Sequence, residues 1–169
     1  MPAKVLFLDI DGVLNTAETL NSDRCETYSP TEWVDGTLTS RLSQWAVEND
    51  VVVVGTSSWF VGCSKEDIDK VAEFLKLPII DRIGYCGGGH ERGLSVLNYV
   101  EDKGLTNWAV LDDGGGKMFT YPTVNVNGRI GVTKFDLMIL KIMVDTHTPM
   151  WKTLSYRSKQ IDAIKSQRG

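Results

Sequence analysis

The chain has 169 residues, 42% of them hydrophobic and 24% charged, with a formal net charge of −4. That size suits one domain with its own core, no apolar run approaches the roughly 20 residues of a membrane span, and the acidic balance argues against a broad, sequence-independent grip on a nucleic-acid backbone. Cys25, Cys63 and Cys86 are odd in number and lack metal-ligand spacing, so they read as free thiols; with no signal-like segment at the start, the expected location is cytoplasmic.

Taken in chain order, the segments alternate between two periods. The apolar run 5–10 (VLFLDI) predicts a first buried strand. A stretch from Asn15 to Asp35 follows that has neither period and is rich in Thr, Ser, Asn, Asp and Glu, which suits a lid or small insertion. Leu38, Leu42, Trp45 and Ala46 place a helix over about 37–49, and 51–55 (VVVVG) is a second strand. Ser64, with Asp67 three residues on, starts a helix in the manner of a capping box. Residues 77–80 (LPII) form a third strand, a Gly-rich loop spans 84–93, and a helix after Arg92 stops at Gly104. Strands at 108–113 and 123–127 come next, with another Gly-rich loop at 112–117. A last helix begins at Thr133, again with an acid, Asp136, three residues later. From Lys152 to Arg168 five basic residues face one acid, Asp162, so the body before them is more acidic than the net charge suggests. The expected division is one domain over 1–151 and a basic tail over 152–169, a solvated helix or frayed end. Strand–helix alternation predicts an α/β fold, Rossmann-like, with a mostly parallel sheet, helices on both faces and no large cap domain.

The chemistry-bearing residues sit where such folds place their ligands, at the C-terminal ends of strands. The first strand delivers Asp9, and Asp11 follows two residues later; both can face one pocket only if the chain leaves strand geometry, which Gly12 permits. The fourth strand ends in Asp112 and Asp113, followed by three glycines. An Asp before Gly is also a common turn former. Two acid pairs, each behind an apolar run, favour a site for a hard dication with oxygen ligands, Mg²⁺.

The segment 7–15 (FLDIDGVLN) resembles the first motif of the haloacid dehalogenase superfamily of phosphatases, an apolar strand followed by Asp-x-Asp-Gly. The resemblance continues in order: Thr56 in VVVVGTSSW, with Ser57 beside it, matches the second motif, Arg92 the third, and Asp112 with Asp113 the fourth. It implies Asp9 as the covalent nucleophile and Asp11 as acid and then base. It implies phosphate contacts from Thr56, Ser57 and Arg92, and Mg²⁺ held by Asp9, Asp11 (through its backbone carbonyl), Asp112 and Asp113. It also implies that the fourth strand lies beside the first, opposite the second.

The gaps between motifs leave no room for a full cap. In size and motif layout the chain is similar to the phosphatase module of nucleic-acid end-repair enzymes, including polynucleotide 3′-phosphatases. Its TSSW resembles that of a small capless subgroup grouped with RNA-repair proteins, although Phe60 stands where that subgroup commonly has Arg. The partner this implies is a phosphorylated small molecule, a nucleotide, or a nucleic-acid end, with no membrane. The alternative is a phosphatase of a non-nucleotide metabolite. Trp59, Phe60 and Tyr28 are either stacking faces for a base or core; Arg24 reaches a second phosphate or faces solvent. A phospho-accepting regulatory domain would need its acceptor at Asp81, after the third strand, and would leave one acid pair unexplained. A metal-dependent nuclease would use the acids without a covalent step.

Overall fold

Strand β1 (Lys4–Leu8) is the middle of the molecule. Leu6, Phe7 and Leu8 are all fully buried; successive strand residues point to opposite faces, so both faces of the sheet are covered. The computed structural model describes residues 3–114 and 122–169. After β1 come β2 (Cys25–Ser29), β3 (Glu32–Asp35), α1 (Gly36–Glu48), β4 (Val51–Gly55), α2 (Lys65–Leu75), β5 (Ile79–Arg82), α3 (His90–Lys103), β6 (Asn107–Asp112), β7 (Thr123–Asn125), α4 (Lys134–Asp145) and α5 (Met150–Arg168).

Five strands form a parallel sheet in the order β5-β4-β1-β6-β7. The fourth segment of the sheet thus does lie beside the first, away from the second, as the resemblance implied. The chain winds outward from β1 through β4 to β5, then crosses back through α3 to β6. Right-handed crossovers in opposite directions put their helices on opposite faces. In agreement, α1 touches α4, while α3 packs along α5. Phe7 meets Tyr99 of α3 and Trp108 of β6 edge to face, with ring centroids 5.7 and 5.9 Å apart.

Several local expectations shift by a residue or two. The capping boxes at Ser64–Asp67 and Thr133–Asp136 are both formed, and Gly104 ends α3 in the left-handed region. The third strand begins at Ile79 instead of Leu77, because Pro78 has no N–H and joins the ladder only through its carbonyl, which accepts from Val53. Helix α3 starts at His90, so the last residues of the expected 84–93 loop are helical and Arg92 lies in the first turn. Of the 112–117 loop, Gly115 to Lys117 lie outside the described residues.

Two features depart from expectation, the second in its packing alone. The aperiodic 15–35 stretch contains an antiparallel hairpin, β2–β3. Its strands are short and carry few buried residues, so neither alternation nor apolarity marks them. The segment 152–169 falls almost wholly in α5, whose buried positions, Thr153, Gln160 and Ile164, face α3. That stripe has helical spacing but includes only one aliphatic residue, which hides it from a hydrophobic pattern.

Candidate active site

Parallel register sets the site. Leu8 is level with Gly55 on one side and with Leu111 on the other. Asp9, Thr56 and Asp112, each the next residue, therefore leave three adjacent strands at the same height. The ladder holds them there: the Asp9 N–H donates to the Leu111 carbonyl (3.0 Å) and the Thr56 N–H to the Leu8 carbonyl (2.9 Å).

After Asp9 the chain turns at once. The N–H groups of Val13 and Leu14 both donate to the Ile10 carbonyl (3.0 and 2.8 Å), and Gly12 sits at φ +80°. A Cβ on Gly12 would collide with Asp113 Oδ2. Glycine is needed here for its backbone angle and for the close approach of the fourth-motif acid. The turn brings Asp11 back to the cleft, a cavity of about 300 Å³ lined by Asp9, Asp11, Ser58, Arg92, Asp112 and Asp113, with Gly88, Gly89 and Gly114.

Asp9, Asp112 and Asp113 each offer an oxygen within 4.8 Å of the other two. Asp9 and Asp112 are buried. Burial, and then the negative charge of Asp112, push the Asp9 carboxyl up to about 8, against the opposing pull of Arg92. Burial likewise raises Asp113. Arg92 Nη1 stands 3.0 Å from Asp112 Oδ2 and 3.3 Å from Asp9 Oδ1. Burial works against its charge, but the two carboxylates outweigh it and its pKa rises. One guanidinium against three carboxylates leaves a centre of hard oxygen donors in excess over positive charge. The donor set fits Mg²⁺.

Asp11 stands apart from these three carboxylates. Its Oδ1 accepts from Asn15 Nδ2 at 2.9 Å and from Trp59 Nε1 at 3.4 Å. Thr56 is fully buried, and its hydroxyl has no hydrogen-bond partner among the described residues. Ser57 is also buried; its hydroxyl caps the short turn that follows, accepting from the Trp59 N–H (3.3 Å). Ser58 lines the cleft, whereas Thr56 and Ser57 lie behind its lining. Once the chain leaves β4 at Thr56, the 3-10 turn over Ser58–Phe60 decides which serine faces in, and the residue types alone carry no signal for it.

Trp59 and Phe60 are core, 8% and 0% exposed. Trp59 stacks on Tyr28 with centroids 5.8 Å apart, and Phe60 occupies the space that a side chain at Gly55 would need. Arg24 pairs with Asp35 at 2.9 Å, where Asp35 also caps α1. His90 and Glu91 lie in the first turn of α3, and no helix among the described residues is long and apolar enough to cross a membrane.

One family model matches the chain, described as the HAD domain in Swiss Army Knife RNA repair proteins, over residues 5–137. No curated protein and no solved structure matches it. The match begins within β1 and ends inside α4, so it takes in every residue placed in the cleft.

Proposed function

The chain belongs to the haloacid dehalogenase (HAD) domain family found in Swiss Army Knife RNA repair proteins, a family of phosphatase-type hydrolases, and on that footing we propose that it is a Mg²⁺-dependent phosphomonoesterase acting through an aspartyl-phosphate on Asp9. The observation that carries this reading is the gathering of Asp9, Asp112 and Asp113 at two adjacent strand ends, with Arg92 between Asp9 and Asp112. Asp9 attacks phosphorus; the ester P–O bond breaks, its electron pair leaves with the alcohol oxygen, and that oxygen takes a proton from Asp11. Water then attacks the phosphorus and gives a proton back to Asp11, releasing inorganic phosphate and the free Asp9 carboxylate. Arg92 and the unpartnered Thr56 hydroxyl serve the phosphate oxygens, with Ser58 better placed than Ser57 to join them. The carboxylates of Asp9, Asp112 and Asp113, with the Asp11 backbone carbonyl, would hold Mg²⁺. When bound, the dication offsets the repulsion between an anionic nucleophile and an anionic ester.

The substrate class is a nucleotide or a nucleic-acid end, a reading supported by the family's description and by the absence of a large cap over the cleft. With Trp59 and Phe60 in the core, an exposed ring beside the cleft among the described residues is Tyr85, 49% exposed and packed on Gly87, next to the cleft-lining Gly88 and Gly89. Stacking worth about 1–3 kcal/mol per base predicts a preference of roughly tenfold or more in kcat/KM over sugar phosphates.

Phosphate release from 5′- and 3′-mononucleotides, oligonucleotide ends and sugar phosphates, with and without chelator, tests both parts. Equal rates on nucleotides and sugar phosphates would remove the nucleotide. Full activity in chelator would remove the metal. Asp9→Asn should fold, and should lose at least about a thousandfold, roughly 4 kcal/mol of barrier; turnover near wild type would end the covalent mechanism.

A further inference from the structure

Asp11 must carry a proton to the leaving oxygen, and how its carboxyl is held is a separate question from what it does. Asn15 is 8% exposed and uses all of its polar atoms. Its Oδ1 accepts from the Gly12 N–H (3.0 Å), one N–H of Nδ2 donates to Asp11 Oδ1 (2.9 Å), and the other donates to the Trp33 carbonyl (2.8 Å) on β3. The amide thus ties together the turn after Asp9, the carboxylate of Asp11 and the β2–β3 hairpin. The second donor to the same Asp11 oxygen, Trp59 Nε1, is itself fixed, with its ring buried and stacked on Tyr28 at an interplanar angle of 15°. Tyr28 belongs to β2, so both donors are braced by the hairpin.

We propose that Asn15 and Trp59 are positioning residues for Asp11, holding its Oδ1 between two N–H donors so that the transferred proton rides on Oδ2. An oxygen already accepting two hydrogen bonds has no free lone pair in the carboxyl plane for a proton. No described residue donates to Oδ2. The arrangement leaves one oxygen for the proton and restrains the carboxyl against rotation. On this view the hairpin acts on catalysis from outside the cleft, through one amide and one indole. The inference rests on Asp11 being the general acid, and the experiment separates the two.

The readout is the dependence on the leaving group, which measures acid assistance and nothing about general stability. A p-nitrophenolate departs without a proton, whereas an alkoxide needs one. The ratio of kcat/KM on p-nitrophenyl phosphate to kcat/KM on adenosine 3′-monophosphate is measured for wild type, Asp11→Asn, Asn15→Leu and Trp59→Phe. Since kcat/KM stops at the first irreversible step, it reports transfer to Asp9 and not hydrolysis of the intermediate. General-acid assistance contributes about 10²–10⁴-fold, so Asp11→Asn should raise the ratio by at least about a hundredfold. Trp59→Phe and Asn15→Leu should each raise it by roughly tenfold or more, a fraction of that assistance. Trp59→Phe keeps an aromatic ring against Tyr28 and so reports even if Asn15→Leu fails to fold. A ratio that moves in Asp11→Asn but not in Trp59→Phe overturns the positioning role alone. A ratio unmoved in Asp11→Asn overturns the acid assignment, and the positioning role with it.

Discussion

Thr56 carries the energetic mark expected of a residue kept for function, a buried hydroxyl without a partner among the described residues. A hydroxyl buried without a partner costs about 1–3 kcal/mol, and no described residue offsets it with a hydrogen bond. Thr56→Val, of nearly the same shape, should therefore stabilise the protein by about 1 kcal/mol, or about 2–4 °C in Tm for a domain of this size. The same variant should lose about a hundredfold in kcat if the hydroxyl serves the phosphate. Calorimetry and phosphate release on one preparation check both signs; a stable, fully active variant would make Thr56 a packing residue. Gly12 is the converse, a residue whose side chain is excluded. Gly12→Ala should destabilise by more than about 1 kcal/mol, because of its left-handed angle, and should raise the Mg²⁺ needed for half activity, because the new methyl displaces Asp113. An unchanged Mg²⁺ titration would separate Asp113 from the metal. That Asp9, Asp112 and Asp113 come together was legible in the sequence because two acid pairs, each behind an apolar run, are harder to explain as turns than either pair alone. Asn15 and Trp59 were not legible as partners of Asp11, since an amide in a loop and an indole after a strand have many.

Among the elements, α5 departs furthest from expectation. A stretch set apart for its positive charge is a helix seated on α3, and its contact is polar. Gln160 Nε2 donates to the His90 carbonyl at 2.9 Å, and lies against a glycine, Gly93, that lets the two helices approach. Arg157 pairs with Glu101 at 2.9 Å. The first of these bonds grips the opening turn of α3, which carries Arg92, and the second holds the helix near its C-terminal end. Truncation before Lys152 would strip a whole face of α3, so a point change is the cleaner probe. Gln160→Leu should cost about 1–3 kcal/mol in stability and raise KM for the phosphate ester several-fold by loosening the turn that aims Arg92. If KM holds at temperatures where the variant is folded, α5 serves only packing.

At the scale of the whole molecule, architecture was largely readable and placement was not. Four strand-like runs separated by three helical periods, with a fifth run after a Gly-rich loop, predict a mostly parallel sheet with helices on both faces, because buried strands need cover on both faces. Strand order came from resemblance alone, and the pairing of β6 with β1 bears it out. The hairpin and α5 escaped because each is stabilised by polar or aromatic contacts of long sequence separation. Charge is the whole-molecule quantity that bears on substrate. A protein at −4 gains little from counterion release, so kcat/KM on a mononucleotide should change less than about threefold between 50 and 200 mM salt, against about 10³–10⁵ for a protein gripping 6–10 phosphates. Rates should not climb steeply with oligonucleotide length. A steep climb that salt abolishes would reveal a backbone-binding surface.

The grip of α5 on α3 also has a meaning in time. The ribosome delivers β1, β4, β6 and β7 before residue 126, and with them all four acids. Gln160 follows some tens of residues later, a lag on the order of seconds at ordinary elongation rates. Arg92 is made before Asp112 and Asp113, but the residue that bonds its turn, Gln160, is made after all four acids. The first turn of α3 therefore gains its bond from Gln160 only after every acid of the cluster has been synthesised, and if that bond aims Arg92, the arginine is set when α5 docks.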